Sequence, residues 1–575
     1  MGSPSNGNLT RELVQPDSEN AGATRSAAEI YLESLAEHRI DYLFANAGTD
    51  FAPIVEGLAC GAERGARMPK ALVVPHENIA VGMAHGYYNV TGRPQAVMVH
   101  VNVGTANGIN CIINAARDNI PILYSSGRTP ATESGRHGSR NRFIHWAQEM
   151  FDQGALVRES VKWDYELRYP EQAGQVVARA WEQAMTHPRG PVYTSLPREA
   201  LAAPAKSAVA GPRALPAAPA PDPAAIRQLA DWINAAQNPL ILTAGVGRDE
   251  AAVRALAKLA ERCALPVAQI APRYVCLASS HPMHLGYWPT PLLAAADLII
   301  VLDCDVPWIP ALEAPPAGCK VAHIGVDPTF ARYPMRSFPS DLSIAADPAA
   351  ALAALDAAAR PAANGVSERR ARLASAREAL RKKWQSEVKP ASPISFAYLS
   401  HCIAQAKDDD AVVFNEYPLK LEQCGFEKPG TFFHNSPAGG LGWGLGAALG
   451  AKLALPERTV IATLGDGAYI FANPTAGHWV ADAYKLPILT IVFNNRLWGA
   501  VRRSTHSMYR GGVSAKTDWR GLAELSPSPA YEKLVEASGG YGERVEHAED
   551  LPQALRRALA ETKNGRQALL NVICE

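Results

Sequence analysis

The sequence predicts an α/β protein built from three doubly wound parallel-sheet domains. Three observations carry that expectation. Short apolar runs rich in β-branched residues alternate with helical periodicity through three successive blocks. A proline–alanine stretch at 202–224 separates the first block from the second. The 575 residues also exceed what one hydrophobic core usually supports.

In chain order, residues 1–24 are rich in Ser, Asn, Gly and Glu and lack the apolar centre of a signal peptide, so they read as a disordered leader. The first domain covers 25–201. "SAAEIYLESLAEHRI" and "AVGMAHGYYNVTG" are its helices, the second ending near Gly92; "DYLFANAG", "ALVVPHE", "QAVMVHVNVG" and "IPILYSSG" are strands. The 202–224 linker reads as extended and poor at packing. A central domain at 225–360 holds the strands "NPLILTAGVG", "LPVAQI", "ADLIIVLDCDV" and "KVAHIGVD". A helical connector, 361–390, carries the run Glu368-Arg369-Arg370-Ala371-Arg372, which reads as a solvated face. The third domain, 391–575, holds the strands "AVVFNEY", "TVIATLGDG", "LPILTIVFNN" and "QALLNVICE".

Composition narrows the functions. Lys plus Arg equals Asp plus Glu, 56 each, which argues against nucleic acid or an anionic membrane as the main partner. No apolar run approaches the ~18 residues of a membrane helix. The nine cysteines form no Cys-x-x-Cys pair; they suit buried thiols in a reducing cytoplasm better than disulfides or a zinc site.

Ligands on open α/β sheets bind beyond the carboxyl ends of the strands. The strand Thr459–Leu464 stops at Gly465-Asp466-Gly467, and the strand Pro487–Phe493 stops at Asn494-Asn495. Asp-Gly alone is a common turn dipeptide. A right-handed crossover, however, brings the two strand ends together, so a carboxylate and an amide face one crevice. Both are hard oxygen donors suited to Mg²⁺, which draws its remaining ligands from backbone, water and phosphate. The flanking glycines let the backbone approach a phosphate.

Gly-Asp-Gly, 26 residues, then Asn-Asn resembles the thiamine diphosphate signature, with a gap about two residues longer than in many relatives. The layout resembles the thiamine diphosphate-dependent enzymes of the acetolactate synthase, benzoylformate decarboxylase and pyruvate decarboxylase type. That resemblance implies pyrimidine-binding, central and diphosphate-binding domains, in that order. It implies Mg²⁺ held by the side chains of Asp466 and Asn495 and the carbonyl of Leu497, with "NNRLWGAV" in step when the second asparagine is taken. In "NSPAGGLGWGLGAALGA" it implies that Gly439 offers its carbonyl to the aminopyrimidine and that Leu441 holds the cofactor bent.

Thiamine chemistry needs a carboxylate facing the aminopyrimidine in a dry site. Glu77 stands at a strand end and is similar in setting to the family glutamate, although a lone glutamate there also suits a helix N-terminus. "MVHVNVGTANGIN" carries His100 and Gly104-Thr105-Ala106-Asn107 where benzoylformate decarboxylases show a histidine, and acetolactate synthases show Thr-Ser-Gly-Pro-Gly-Ala-Thr-Asn. By the same resemblance Asn107 lies beside the cofactor and Thr49, in "NAGTD", grips the substrate carboxylate. His100 suits proton delivery after CO₂ leaves; a core histidine and a turn hydroxyl are the plain alternatives.

The central domain has Gly245 and Gly247 after a strand but no third glycine, and "VLDCDVPWIP" departs from the arginine-bearing strand end of flavin-binding relatives, so FAD is not expected. His281 and His284 lack a third ligand nearby and read as loop residues. Trp288 and Trp308 read as packing residues, with the lining of a substrate entrance as the alternative. "RRSTHSMYRGGVSAKTDWRG" reads as a mobile lid, with Arg502, Arg503 and His506 as candidates for an anionic group or for plain solvation. The expected function is cleavage or formation of a carbon–carbon bond on a 2-oxo acid, with an aldehyde or ketone acceptor. A decarboxylase or carboligase of the benzoylformate type is favoured; an acetolactate synthase or an acyl-CoA lyase is the alternative. The resemblance implies a homodimer or homotetramer with shared sites.

Overall fold

The computed structural model describes residues 25–575; the expected leader lies outside them. Three parallel sheets form, one per block. The first has the order β2 (Lys70–Val73), β1 (Tyr42–Asn46), β3 (Ala96–Val99), β4 (Leu123–Arg128), β6 (Val192–Pro197), β5 (Asp164–Glu166). The second runs β11 (Leu342–Ala345), β10 (Lys320–Gly325), β9 (Leu298–Leu302), β7 (Pro239–Thr243), β8 (Val267–Gln269). The third runs β13 (Phe432–His434), β12 (Val412–Glu416), β14 (Val460–Gly465), β15 (Leu489–Asn494), β17 (Ala568–Ile573), β16 (Tyr541–Val545). The first and third sheets thus share one strand order. In each, the order reverses between its first and third strands, and the crevice at that reversal is where such sheets bind ligands.

Buried apolar strands and helices on both faces make the cores. Ser26 starts the first helix with a capping box to Glu29. Gly92 ends the Glu77–Thr91 helix in the left-handed region, φ 67°. That helix packs on Trp443–Ala454 of the third domain through glycines. A Cβ on Gly86 would sit 1.9 Å from the Ala447 carbonyl oxygen, and one on Gly450 equally close to the Met83 carbonyl oxygen. Val81 and Met83 share one core with Ala447 and Leu449, so the first and third domains are fused by close backbone approach.

Several expectations are corrected. "VHVNVG" does not continue its strand: β3 ends at Val99 and a helix, Val101–Arg117, begins. The 202–224 linker is extended, yet its first part packs on the first domain. Ala205 is buried, and the Ala210 N–H donates to Ser34 Oγ at 3.2 Å. In the connector helix Ala363–Glu387, Arg369 is not solvated but 5% exposed. Its guanidinium donates to the carbonyls of Ala264, Cys263 and Ala236, the free C-terminal carbonyls of two central-domain helices. The lid stretch contains two helices, Gly499–Met508 and Val513–Lys516. Trp308 is buried, whereas Trp288 is exposed. No helix of the described residues is long and apolar enough to cross a membrane.

Candidate active site

Glu77 is the first residue of its helix, entered from β2 through His76, whose ring caps the Asn78 N–H. Its carboxylate is buried, 6% exposed. Asn46, the last residue of β1, donates to Oε1 at 2.9 Å, and Asn107 donates to Oε2. Asn107 reaches it because Gly104 lets the Val101–Arg117 helix come close: a Cβ there would lie 3.2 Å from Glu77 Oε1. Glu77, Asn46, Asn107, His100 and Val103 line a cavity of about 600 Å³.

His100 stands between β3 and the Val101–Arg117 helix and lines the same cavity. Its Nδ1 lies 2.5 Å from Asp50 Oδ1, and the second Asp50 oxygen accepts the Val101 N–H at 3.2 Å. Asp50 is 3% exposed. The hydrogen bond to its carboxylate raises the His100 pKa above the ordinary histidine value, outweighing burial. Two glycines make room for the pair. A Cβ on Gly48 would meet the His100 ring at 2.1 Å, and one on Gly127 would meet Asp50 Oδ2 at 1.9 Å. Sequence reasoning missed Asp50 although it stands beside Thr49 in "NAGTD"; an acid just before an apolar helix looks like an ordinary cap. Thr49 itself is exposed and lies outside the cavity lining, its carbonyl accepting from Arg198 Nη1 at 3.5 Å.

The second group lies on the third sheet. Asp466 opens a short helix at the end of β14 and is 2% exposed. Its oxygens accept the N–H of Gly467 at 3.0 Å and of Arg496 at 2.7 Å. Burial pushes its pKa up to about 6. The Arg496 bond ties the end of β14 to the turn after β15, the convergence that the crossover implied. The two asparagines separate there. Asn494 is buried and spends its amide nitrogen on Ser528 and Asn571, both at 2.9 Å. Asn495 is partly exposed, and its Oδ1 accepts the Leu497 N–H at 3.1 Å. The Leu497 carbonyl accepts from Gly499 at 2.9 Å. A Cβ on Gly467 would strike the Trp498 ring, whereas Gly465 has open space around it.

Gly439 is left-handed, φ 71°, and a Cβ there would lie 3.1 Å from the Tyr417 hydroxyl. Asn110 Nδ2 donates to the Leu441 carbonyl at 2.8 Å, and Asn114 pairs with Gly440 through both N–H and carbonyl. The helix that presents Asn107 to Glu77 therefore also fixes the 439–441 loop. Glu416, at the end of β12, is a second residue that sequence reasoning missed. Fully buried, it accepts the Gly442 and Gly444 N–H groups at 2.7 Å and so caps the Trp443–Ala454 helix. Burial pushes its pKa up to about 7. Its signal was present: a charge ending the strand in "AVVFNEY".

The cavity at Glu77 is lined by the first domain alone; Asp466 and Asn495 do not line it. In the lid stretch, Arg502 pairs with Asp518, Arg503 Nη1 lies near Gly499 and His506 sits in the last turn of its helix. In the central domain, Gly245 and Gly247 are packed against Asp303 and Tyr274. Beyond β9, Asp305 takes Arg273 Nη1 at 3.3 Å and the Tyr333 hydroxyl at 2.8 Å, and its carbonyl takes Arg336 Nε at 2.8 Å. His284 is buried against Tyr287 and Trp384, with its pKa pushed down to about 4 by burial. No cluster of three or more His, Cys, Asp or Glu that could hold a metal occurs among the described residues.

Three parallel α/β domains, with a buried acid beyond a strand of the first sheet and another beyond a strand of the third, match the thiamine pyrophosphate enzymes, and the chain belongs to that family. Residues 25–156 match the N-terminal TPP binding domain, 226–355 the central domain and 417–572 the C-terminal TPP binding domain. The chain is 29% identical over 552 residues to a benzoylformate decarboxylase of Pseudomonas aeruginosa, covering 92% of this chain and 95% of that one. It is 26% identical over 574 residues to the acetolactate synthase large subunit IlvG of Mycobacterium tuberculosis, covering 96% of each. A solved thiamine diphosphate-dependent 4-hydroxybenzoylformate decarboxylase of Rhodococcus jostii RHA1 superposes with a TM-score of 0.76 at 24% identity, covering 96% of this chain and 99% of that one. The chain is a thiamine diphosphate-dependent lyase or carboligase.

Proposed function

We propose that this enzyme decarboxylates a 2-oxo acid of the benzoylformate type and releases the aldehyde or passes it to a carbonyl acceptor. The observation that carries the reading is the Asp50–His100 pair in the cavity that holds Glu77. The family relative with benzoylformate decarboxylase activity supports it.

The residues present fit the cofactor. A buried carboxylate braced by two amides suits its aminopyrimidine, and Gly465 leaves open space beside Asp466 for the close approach of a phosphate. When bound, thiamine diphosphate supplies the electron sink for breaking the bond between carboxylate and carbonyl carbon. Glu77 holds the proton that the aminopyrimidine exchanges, and burial keeps water from competing for it. Asp50 raises the proton affinity of His100, and in its protonated form the ring carries an acidic proton on Nε2, the nitrogen not engaged by the carboxylate. That proton goes to the carbon left when CO₂ departs, which favours aldehyde release over the condensation catalysed by an acetolactate synthase.

Asp466, Asn495 and the Leu497 carbonyl are the proposed Mg²⁺ ligands: one carboxylate plus neutral oxygens matches the way this ion is held beside phosphates. Because no third-domain residue lines the Glu77 cavity, the diphosphate-binding group is supplied by a second copy, making the working unit a homodimer or a homotetramer. Flavin has no role in this reading; beyond β9 the chain places the Arg273–Asp305–Arg336 network. A cytoplasmic location is part of the proposal, supported by nine scattered cysteines with no Cys-x-x-Cys pair.

Product analysis by proton NMR tests the reading. With thiamine diphosphate and Mg²⁺ present, benzoylformate gives benzaldehyde; acetolactate from pyruvate, with benzoylformate untouched, would establish the synthase reaction instead.

A further inference from the structure

Gln148 stands against the free face of His100, and its two amide atoms are in unequal situations. Its Nε2 lies 3.2 Å from His100 Nε2, while its Oε1 is buried without a partner. An unpartnered buried amide oxygen costs stability. The side chain is also held in place. Its backbone N–H closes the Ile144–Ala147 helix at 2.9 Å. The next residue, Glu149, is gripped by Arg128 at 2.9 Å, Arg140 at 2.5 Å and the Thr129 hydroxyl at 3.0 Å. Nothing in the proton-delivery scheme above uses this residue.

A neutral amide can donate or accept at the same point by turning over. With Nδ1–H given to Asp50, neutral His100 has a lone pair on Nε2 and accepts the Gln148 N–H. Protonated His100 has a hydrogen there and requires an acceptor, which Oε1 becomes after a half-turn of the amide.

We propose that Gln148 is a positioning residue that follows the protonation state of His100, its amide turning over with each gain and loss of the Nε2 proton. This rests on the decarboxylase reading for its catalytic use, though not for the hydrogen bond itself. In the cycle, Nε2–H gives its proton to the substrate carbon and the imidazole keeps Nδ1–H on Asp50. Gln148 then donates to the vacated lone pair until a proton taken from solvent, the one that the overall decarboxylation of a 2-oxo acid anion consumes, returns to Nε2 and the amide turns back. The charges facing His100 are Asp50 and Glu77; Asp50 in turn interacts with His145 and Arg198.

The test is a pH titration of the His100 Cε1–H signal in the cofactor-loaded enzyme labelled with ¹³C-histidine, the signal assigned by its loss in His100→Gln. Gln148→Met removes the acceptor that the imidazolium needs, so the midpoint falls by roughly half to one pH unit. Gln148→Glu places a carboxylate there, so the midpoint rises by roughly one pH unit. Opposite shifts support the inference. An unmoved midpoint in both variants, or shifts of the same sign, overturns it and leaves Gln148 a packing residue. Benzoylformate turnover is followed on the same samples. Opposed shifts without turnover in the parent enzyme would remove the substrate reading and leave the Gln148 role standing.

Discussion

Asp50 and His100, 50 residues apart in the chain, meet at 2.5 Å across the reversal point of the first sheet. The same carboxylate accepts the first N–H of the helix that carries Asn107 and Asn110. One buried acid therefore sets both the charge of the histidine and the start of the helix that braces Glu77.

The first prediction is a pH effect. Asp50 raises the His100 pKa, so more imidazolium survives at neutral pH. Asp50→Asn removes that support, the pKa falls, and the basic limb of the pH–rate profile moves to lower pH by roughly one unit. Activity at the acid end is changed far less than at pH 7 to 8.

A second prediction concerns the interdomain glycines. Gly86→Ala must displace the Ala447 carbonyl, 1.9 Å from the new methyl, and lowers stability by about 2–4 kcal/mol in thermal unfolding. Gly465→Ala meets nothing within 4 Å and sits at φ −65°, so it leaves the melting temperature nearly unchanged. It weakens thiamine diphosphate binding measured by calorimetry, because open space there serves the ligand rather than the fold.

Arg369→Met leaves three helix-end carbonyls without donors in a buried position. The first thermal transition drops by an amount corresponding to about 3 kcal/mol, while a surface neighbour, Arg381→Met, changes it little.

Glu416→Gln replaces one of two oxygens accepting backbone N–H groups with a donor. The Gly442–Gly444 turn is disturbed and with it the 439–441 loop. The expected result is at least tenfold weaker cofactor retention, read by equilibrium dialysis, with a smaller loss of thermal stability.

How far the sequence disclosed this arrangement follows from where the partners lie. Glu77, Asp466 and Asn495 were legible because each ends an apolar run, a local pattern. The start of the helix at Val101 was not. "MVHVNVG" has strand composition throughout, and what turns it into a helix is an Asp50 oxygen from another strand end. Asp50 was hidden for the same reason: beside "FAPIVEG" it looks like a cap for the helix that follows, and its true partners are distant. Arg369 sits in a charge run that reads as solvated, and only the packed C-termini of two other helices make it an internal donor. Local periodicity revealed the strands that lead to Glu77, Asp466 and Asn495 but not β5, β6, β11, β13 or β16, nor the end of β3; the pairings across strands are tertiary and left no local trace.

The most direct measurement of the central claim is benzaldehyde formation from benzoylformate, followed by proton NMR in the parent enzyme, Glu77→Gln and His100→Phe with saturating thiamine diphosphate and Mg²⁺. The account predicts aldehyde from the parent and a loss of at least ~10²-fold in each variant, with cofactor still bound to His100→Phe. Undiminished aldehyde from Glu77→Gln, or none from the parent with cofactor bound, would contradict it.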